Sequence, residues 1–141
     1  MQSAFSIALA GLFCLSCFDS ADAQNARRVA IPPLKYKETL AYSLQTVSVK
    51  ANCFPPQLRE VLAYIAAKTG RRPMVTSGLR SHGRSHSQHR YCAAADIRIP
   101  GVSERTIIAI AESAPGIGGI GRYCNGIVHV DVGPKRRWTY C

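Results

Sequence analysis

The chain has 141 residues, 47% of them hydrophobic and 18% charged, with 18 Lys and Arg against 8 Asp and Glu for a formal net charge of +10. That length and composition suit one mixed α and β domain with a single core, and exclude a disordered tail or a collagen-like chain. Such a basic field favours polyanions: cell-wall polymer, anionic membrane or nucleic acid.

Ala4 to Phe18 is an almost uninterrupted apolar run, followed by Asp19 and the small-residue triplet Ala21, Asp22, Ala23, so residues 1–23 read as a cleaved export signal. The run is shorter than the roughly 20 apolar residues that span a bilayer, and no basic stop-transfer flank follows it, which argues against a stable membrane anchor. The residues before Cys17 fit a lipoprotein acylation site poorly. Cleavage removes two acids, Asp19 and Asp22, and no base, so the mature charge is 18 minus 6, or +12. An exported protein, periplasmic or secreted, meets wall polymer or membrane surface before nucleic acid, and no nucleic-acid partner is expected. Cleavage also leaves four cysteines, Cys53, Cys92, Cys124 and Cys141. In a small exported domain they imply two disulfides, with three connectivities open. No pair has the two-residue spacing of a zinc knuckle.

Along the mature chain, residues 24–45 read as an extended arm with Arg27, Arg28, Pro32 and Pro33, and residues 46–141 as the domain proper. Leu44 to Val49 alternates like an edge strand. A helix starts at Pro55 and Pro56, places Leu58, Val61, Leu62, Ile65 and Ala66 on one face, and ends at Gly70. A second helix starts with Ser103 as N-cap, turns Ile107, Ile108 and Ala111 inward and stops before Pro115. Strands are expected at Pro73 to Thr76, Ala93 to Ile99, Ile117 to Arg122, Ile127 to Val132 and Arg137 to Tyr140. These elements predict an α+β fold built on a small, mostly antiparallel sheet, and a monomer.

Two segments carry chemistry. In Ile127 to Val132 the alternation puts Val128, Val130 and Val132 on one face and His129 with Asp131 on the other, their side chains starting about 7 Å apart on a rigid support. Ser87, Gln88 and His89 precede Asp96 by a short interval, and Asp96 follows three alanines on a strand headed for the core. A carboxylate there needs a metal or a cation, and Arg98 on the same strand face is the competing partner. His89, Asp96 and His129 together form a ligand set suited to zinc with one position left for water. His82 and His86 crowd the same stretch, but Gly83 and the serines argue against a helix that would aim them together, leaving them as loop or substrate-facing residues.

The run Ser77, Gly78, Leu79, Arg80, Ser81, then Ser87, Gln88, His89 with Asp96, and finally His129, Val130, Asp131 and Gly133 to Trp138, resembles peptidase family M15. The likeness spans roughly Cys53 to Trp138 and is closest to the small exported murein-hydrolase branch with a His-x-Asp strand. The resemblance implies a Hedgehog and DD-peptidase type fold, one Zn2+, and hydrolysis of D-amino-acid-containing peptide bonds of peptidoglycan, as a D-Ala-D-Ala carboxypeptidase or a murein endopeptidase. It implies His89, Asp96 and His129 as ligands and Arg80 as the residue that binds substrate or steadies the oxyanion. Ser77, Ser87 and His86 would face substrate, although Ser77 is equally suited to shaping the turn before Gly78. Many relatives place a Glu or Asp three residues before the last ligand as general base, where this chain has Gly126. The general base is therefore expected to be Asp131. The alternative is a catalytically inactive wall-binding module of the same fold.

Overall fold

The computed structural model describes residues 40–141. The export signal over residues 1–23 and most of the arm expected over residues 24–45 lie outside the described residues. The first strand, β1 (Ser43–Leu44), pairs in parallel with β2 (Met74–Ser77) through Ser43↔Met74 and Leu44↔Val75. The longer strand expected to Val49 does not form. After Leu44 the chain turns, with Val49 N donating to Thr46 O at 3.2 Å and the Thr46 and Ser48 hydroxyls 2.8 Å apart. The Val49 amide and Thr46 carbonyl are thus bonded to each other in a turn rather than to a neighbouring strand.

Helix α1 (Pro56–Thr69) begins where expected, with proline in its first turn, and stops at Gly70, whose φ of 65° suits glycine and closes the helix in the left-handed conformation. Leu58, Val61, Leu62 and Ile65 are fully buried. Each such side chain stabilises the fold by about 1.5–3 kcal/mol relative to exposure. Helix α2 (Glu104–Glu112) starts at Ser103, whose Oγ accepts from Thr106 N at 3.1 Å. It buries Ile107 and Ala111, while Ile108 is only half-buried.

The remaining strands are β3 (Ala94–Arg98), β4 (Gly119–Arg122), β5 (Val128–Asp131) and β6 (Arg136–Thr139). The sheet order is β1-β2-β3-β5-β4-β6, with β2, β3, β5 and β4 antiparallel and a parallel strand at each edge. The fold is therefore α+β with a six-stranded mixed sheet. Every residue of β5 is buried, so the face bearing His129 and Asp131 is covered rather than solvated. The disulfides are Cys53–Cys92 and Cys124–Cys141. With separations of 39 and 17 residues, they restrict the unfolded chain by about 4 and about 3 kcal/mol in the loop-entropy picture.

Candidate metal centre

Strand register assembles the site. Across β3 and β5, Asp96 lies opposite His129; across β5 and β4, His129 lies opposite Gly121; across β4 and β6, Gly121 lies opposite Trp138. One row of residues thus runs laterally over the sheet. A side chain at Gly121 would strike the Trp138 indole, so glycine is what lets the tryptophan lie over β4 and pack against the His129 ring, with centroids 4.9 Å apart. Arg136, two residues before Trp138 on β6, reaches Asp131 in the same way past Gly119, where a Cβ would strike the Asp131 carboxylate.

His89 comes from a 3₁₀ turn, Gln88–Tyr91, that closes on Cys92 in a left-handed conformation. The Cys53–Cys92 bond ties this turn to the loop preceding α1. Gly78 approaches the Lys50 carbonyl too closely to admit a Cβ, and its own carbonyl accepts from His89 Nδ1 at 2.6 Å.

The three side chains converge and are buried, with exposures of 1% for His89, 7% for Asp96 and 3% for His129. His89 Nε2 is 3.1 Å from His129 Nδ1 and 3.2 Å from Asp96 Oδ1, and His129 Nδ1 is 2.9 Å from Asp96 Oδ1. The far nitrogens decide the tautomers. His89 Nδ1 faces a carbonyl, so it carries the proton and Nε2 presents a lone pair. His129 faces a carboxylate from each nitrogen, Asp131 from Nε2 and Asp96 from Nδ1, both at 2.9 Å; when Nε2 donates to Asp131, the neutral ring presents the Nδ1 lone pair inward. Two lone pairs and a carboxylate oxygen then point at one another, an arrangement that repels itself unless a cation sits between them. Tetrahedral zinc with bonds of about 2.0–2.1 Å needs donor separations of about 3.3 Å, close to the triangle observed. The residues present therefore fit such an ion.

The electrostatics point the same way. Burial opposes ionisation of Asp96, but hydrogen bonds and charge from His129 and His89 outweigh it and hold the carboxyl well below the usual carboxylate range. For His129, burial is outweighed by Asp131 and Asp96, so its affinity for a proton is raised. The centre attracts positive charge, whether a proton or a metal.

Arg80 Nη2 pairs with Asp96 Oδ2 at 2.7 Å. The rival pairing of Asp96 with Arg98 is not formed; Arg98 Nε is instead buried without a hydrogen-bond partner. Asp131 shares a side of the strand with His129, as alternation requires, but sits behind it. It is fully buried and saturated: Oδ1 accepts from Gly119 N and Gly133 N, each at 2.8 Å, and Oδ2 accepts from His129 Nε2 at 2.9 Å and Arg136 Nη2 at 2.7 Å. Burial opposes its ionisation, and these bonds outweigh burial, lowering its pKa. A carboxylate so placed touches the non-ligating side of the imidazole, not the open side of the centre where a general base would meet water.

The open side is a cleft of about 730 Å³ lined by Arg80, Arg84, His86, Ser87, Tyr123 and Trp138, among others. His86 and Ser87 thus face it, whereas Ser77 and His82 are not among its lining residues. Ser77 pairs with Asp96 in the sheet and leads into the Gly78 carbonyl. Sequence reasoning missed Tyr123 and Arg136. Tyr123 follows β4, where burial and the Asp96 charge raise its pKa and Arg80 and Arg84 oppose them.

Among the described residues, no helix is long and apolar enough to cross a membrane. None of the curated proteins is similar enough to the chain to count as a match. The model of the family Peptidase_M15_2, described as Peptidoglycan L,D-endopeptidase MepK, matches residues 38–138. With the match covering most of the sequence, including all three converging side chains, the chain belongs to this peptidase M15 family.

Proposed function

We propose that the protein is an exported zinc peptidase that hydrolyses peptide bonds in the stem peptides of peptidoglycan. The observation that carries this reading is the triad of His89, Asp96 and His129, whose outward nitrogens are pinned so that only electron pairs meet at its centre. The family description, which names an L,D-endopeptidase, supports a narrower reading of the bond. Cleavage at a cross-link between an L and a D centre is accordingly favoured over removal of a terminal D-alanine.

When bound, the ion supplies Lewis acidity, which polarises a carbonyl and makes water more acidic. The chain's own residues do the rest. Gly78 O and Asp131 orient the two imidazoles, and Arg136 and the Gly119 and Gly133 amides orient Asp131. Asp131 is therefore a positioning residue in this reading. Arg80, held by Asp96 through one nitrogen, keeps further N–H groups for the oxygen on which negative charge develops. Proton transfer to the leaving amine needs a titratable group on the open side, and His86 and Tyr123 line it. Trp138 covers His129 and excludes water from that flank.

The test is metal analysis of purified protein lacking residues 1–23, followed by incubation with defined cross-linked muropeptides and product identification, with and without chelator. One zinc per chain and chelator-sensitive cleavage are expected. Stoichiometric zinc with no cleavage of any muropeptide would instead mark a wall-binding module, and failure to bind zinc would overturn the metal reading.

A further inference from the structure

Four arginines line the cleft, Arg80, Arg84, Arg136 and Arg137, and none of its lining residues among those described is acidic. Three of the four are engaged by oxygens of the protein. Arg80 pairs with Asp96 and Arg136 with Asp131, each at 2.7 Å. Arg137 Nη1 donates to Gly118 O at 2.7 Å and Arg136 O at 2.8 Å, and its Nε lies 3.6 Å from Glu112. Arg84 differs: among the described residues its guanidinium has neither an ion pair nor a side-chain hydrogen bond. It lines the cleft together with His86 and Tyr123.

The charge balance of the site follows. Asp96, Asp131 and Glu112 stand beside Arg80, Arg136 and Arg137, so among the described residues Arg84 is the cleft arginine with no acidic partner. A guanidinium with all five donors available matches a carboxylate in a two-point contact that a carboxamide, itself carrying donors, cannot reproduce. We propose that Arg84 is a specificity residue that binds a free carboxylate of the stem peptide beside the scissile bond, so that substrates amidated there are disfavoured. This rests on the peptidase reading above and deepens it by naming the feature of the substrate that the cleft selects.

The experiment compares three synthetic cross-linked stem peptides: one with both the side-chain and terminal carboxylates free, one amidated at the side chain and one amidated at the terminus. Each is assayed with the zinc-loaded protein and with Arg84→Gln and Arg84→Lys variants, whose folding is checked by thermal melting. The free acid is expected to exceed one of the two amides by at least tenfold in kcat/KM, mostly through KM, and the amide that fails identifies which carboxylate is read. In Arg84→Gln that ratio falls to about one; in Arg84→Lys part of it survives, because the charge remains and the fork does not. Equal rates for all three peptides, or an unchanged ratio in Arg84→Gln, would overturn the inference. If none of the peptides is cleaved, the peptidase reading fails separately. Calorimetric binding of the same peptides then decides the point: tenfold tighter binding of the acid, lost in Arg84→Gln, supports the carboxylate contact, and equal affinities refute it.

Discussion

Replacing Asp131 by Asn separates a positioning carboxylate from a catalytic one. The substitution preserves shape and one oxygen. That oxygen stays with the Gly119 and Gly133 amides, which leaves the new amide nitrogen facing His129 Nε2 and Arg136, both donors in the native site. Donor against donor is relieved when His129 moves its proton from Nε2 to Nδ1, and Nδ1 is the atom that points at the centre of the triad. Loss of such an outer partner lowers metal affinity by about 10–100-fold, equivalent to about 1.4–2.8 kcal/mol. Breaking a buried charge pair costs about 3–5 kcal/mol of folding stability as well. Zinc affinity is measured by competition with a chromogenic chelator, and turnover at saturating zinc on the same preparation. Weaker binding with most turnover restored by excess zinc is the expected pattern. If affinity stays within twofold while turnover at saturation falls more than a hundredfold, Asp131 takes part in the reaction itself and the positioning role is wrong.

Other perturbations probe the surroundings of the centre. Gly121→Ala drives a methyl group into the indole of Trp138; a loss of about 1–3 kcal/mol is expected from overpacking. A shift in emission should accompany it, and Trp138, the sole tryptophan of the chain, reports it directly. Removing the Cys53–Cys92 bond with a double serine variant should cost about 4 kcal/mol, and zinc affinity should fall with it because the bond anchors the turn that carries His89; denaturant melts and chelator titration check the two effects. The pH dependence of the zinc-free protein follows from two opposite shifts. The folded carboxyls of Asp96 and Asp131 lie below their unfolded values, so their contribution is present above about pH 4 and is lost as pH falls further. The folded imidazole of His129 lies above its unfolded value near 6.5, so its contribution is complete below that pH and disappears as pH rises through the folded pKa. Thermal melts with chelator should therefore show greatest stability between about pH 4 and 6.5. Added zinc, which takes the place of the proton, should move that maximum upward.

Much of the scaffold was legible along the chain because its signals are local. Proline in the first turn and glycine after the last define α1, Ser103 caps α2, and alternation in residues 127–132 places His129 and Asp131 on one side. The short β1 and the half-buried Ile108 departed from expectation where a backbone turn and neighbouring elements decide what periodicity cannot. Asp131 shows the limit most clearly. Strand alternation gives the side on which a carboxylate emerges, but whether it meets solvent or the back of an imidazole depends on the strands next to it.

By itself the amino-acid sequence determined the residue types and spacings that can hold a metal, the two helices and the capacity for two disulfides, since these rest on contacts within a few residues or on counting. Only the tertiary structure decided that His129 uses Nδ1 inward and Nε2 outward, that Asp96 answers to Arg80 rather than Arg98, and that Cys53 joins Cys92. The reason is geometric. Gly119 and Gly121 on β4 leave space through which Arg136 and Trp138 of β6 reach the residues of β5, and that register links parts of the chain whose proximity no local pattern encodes.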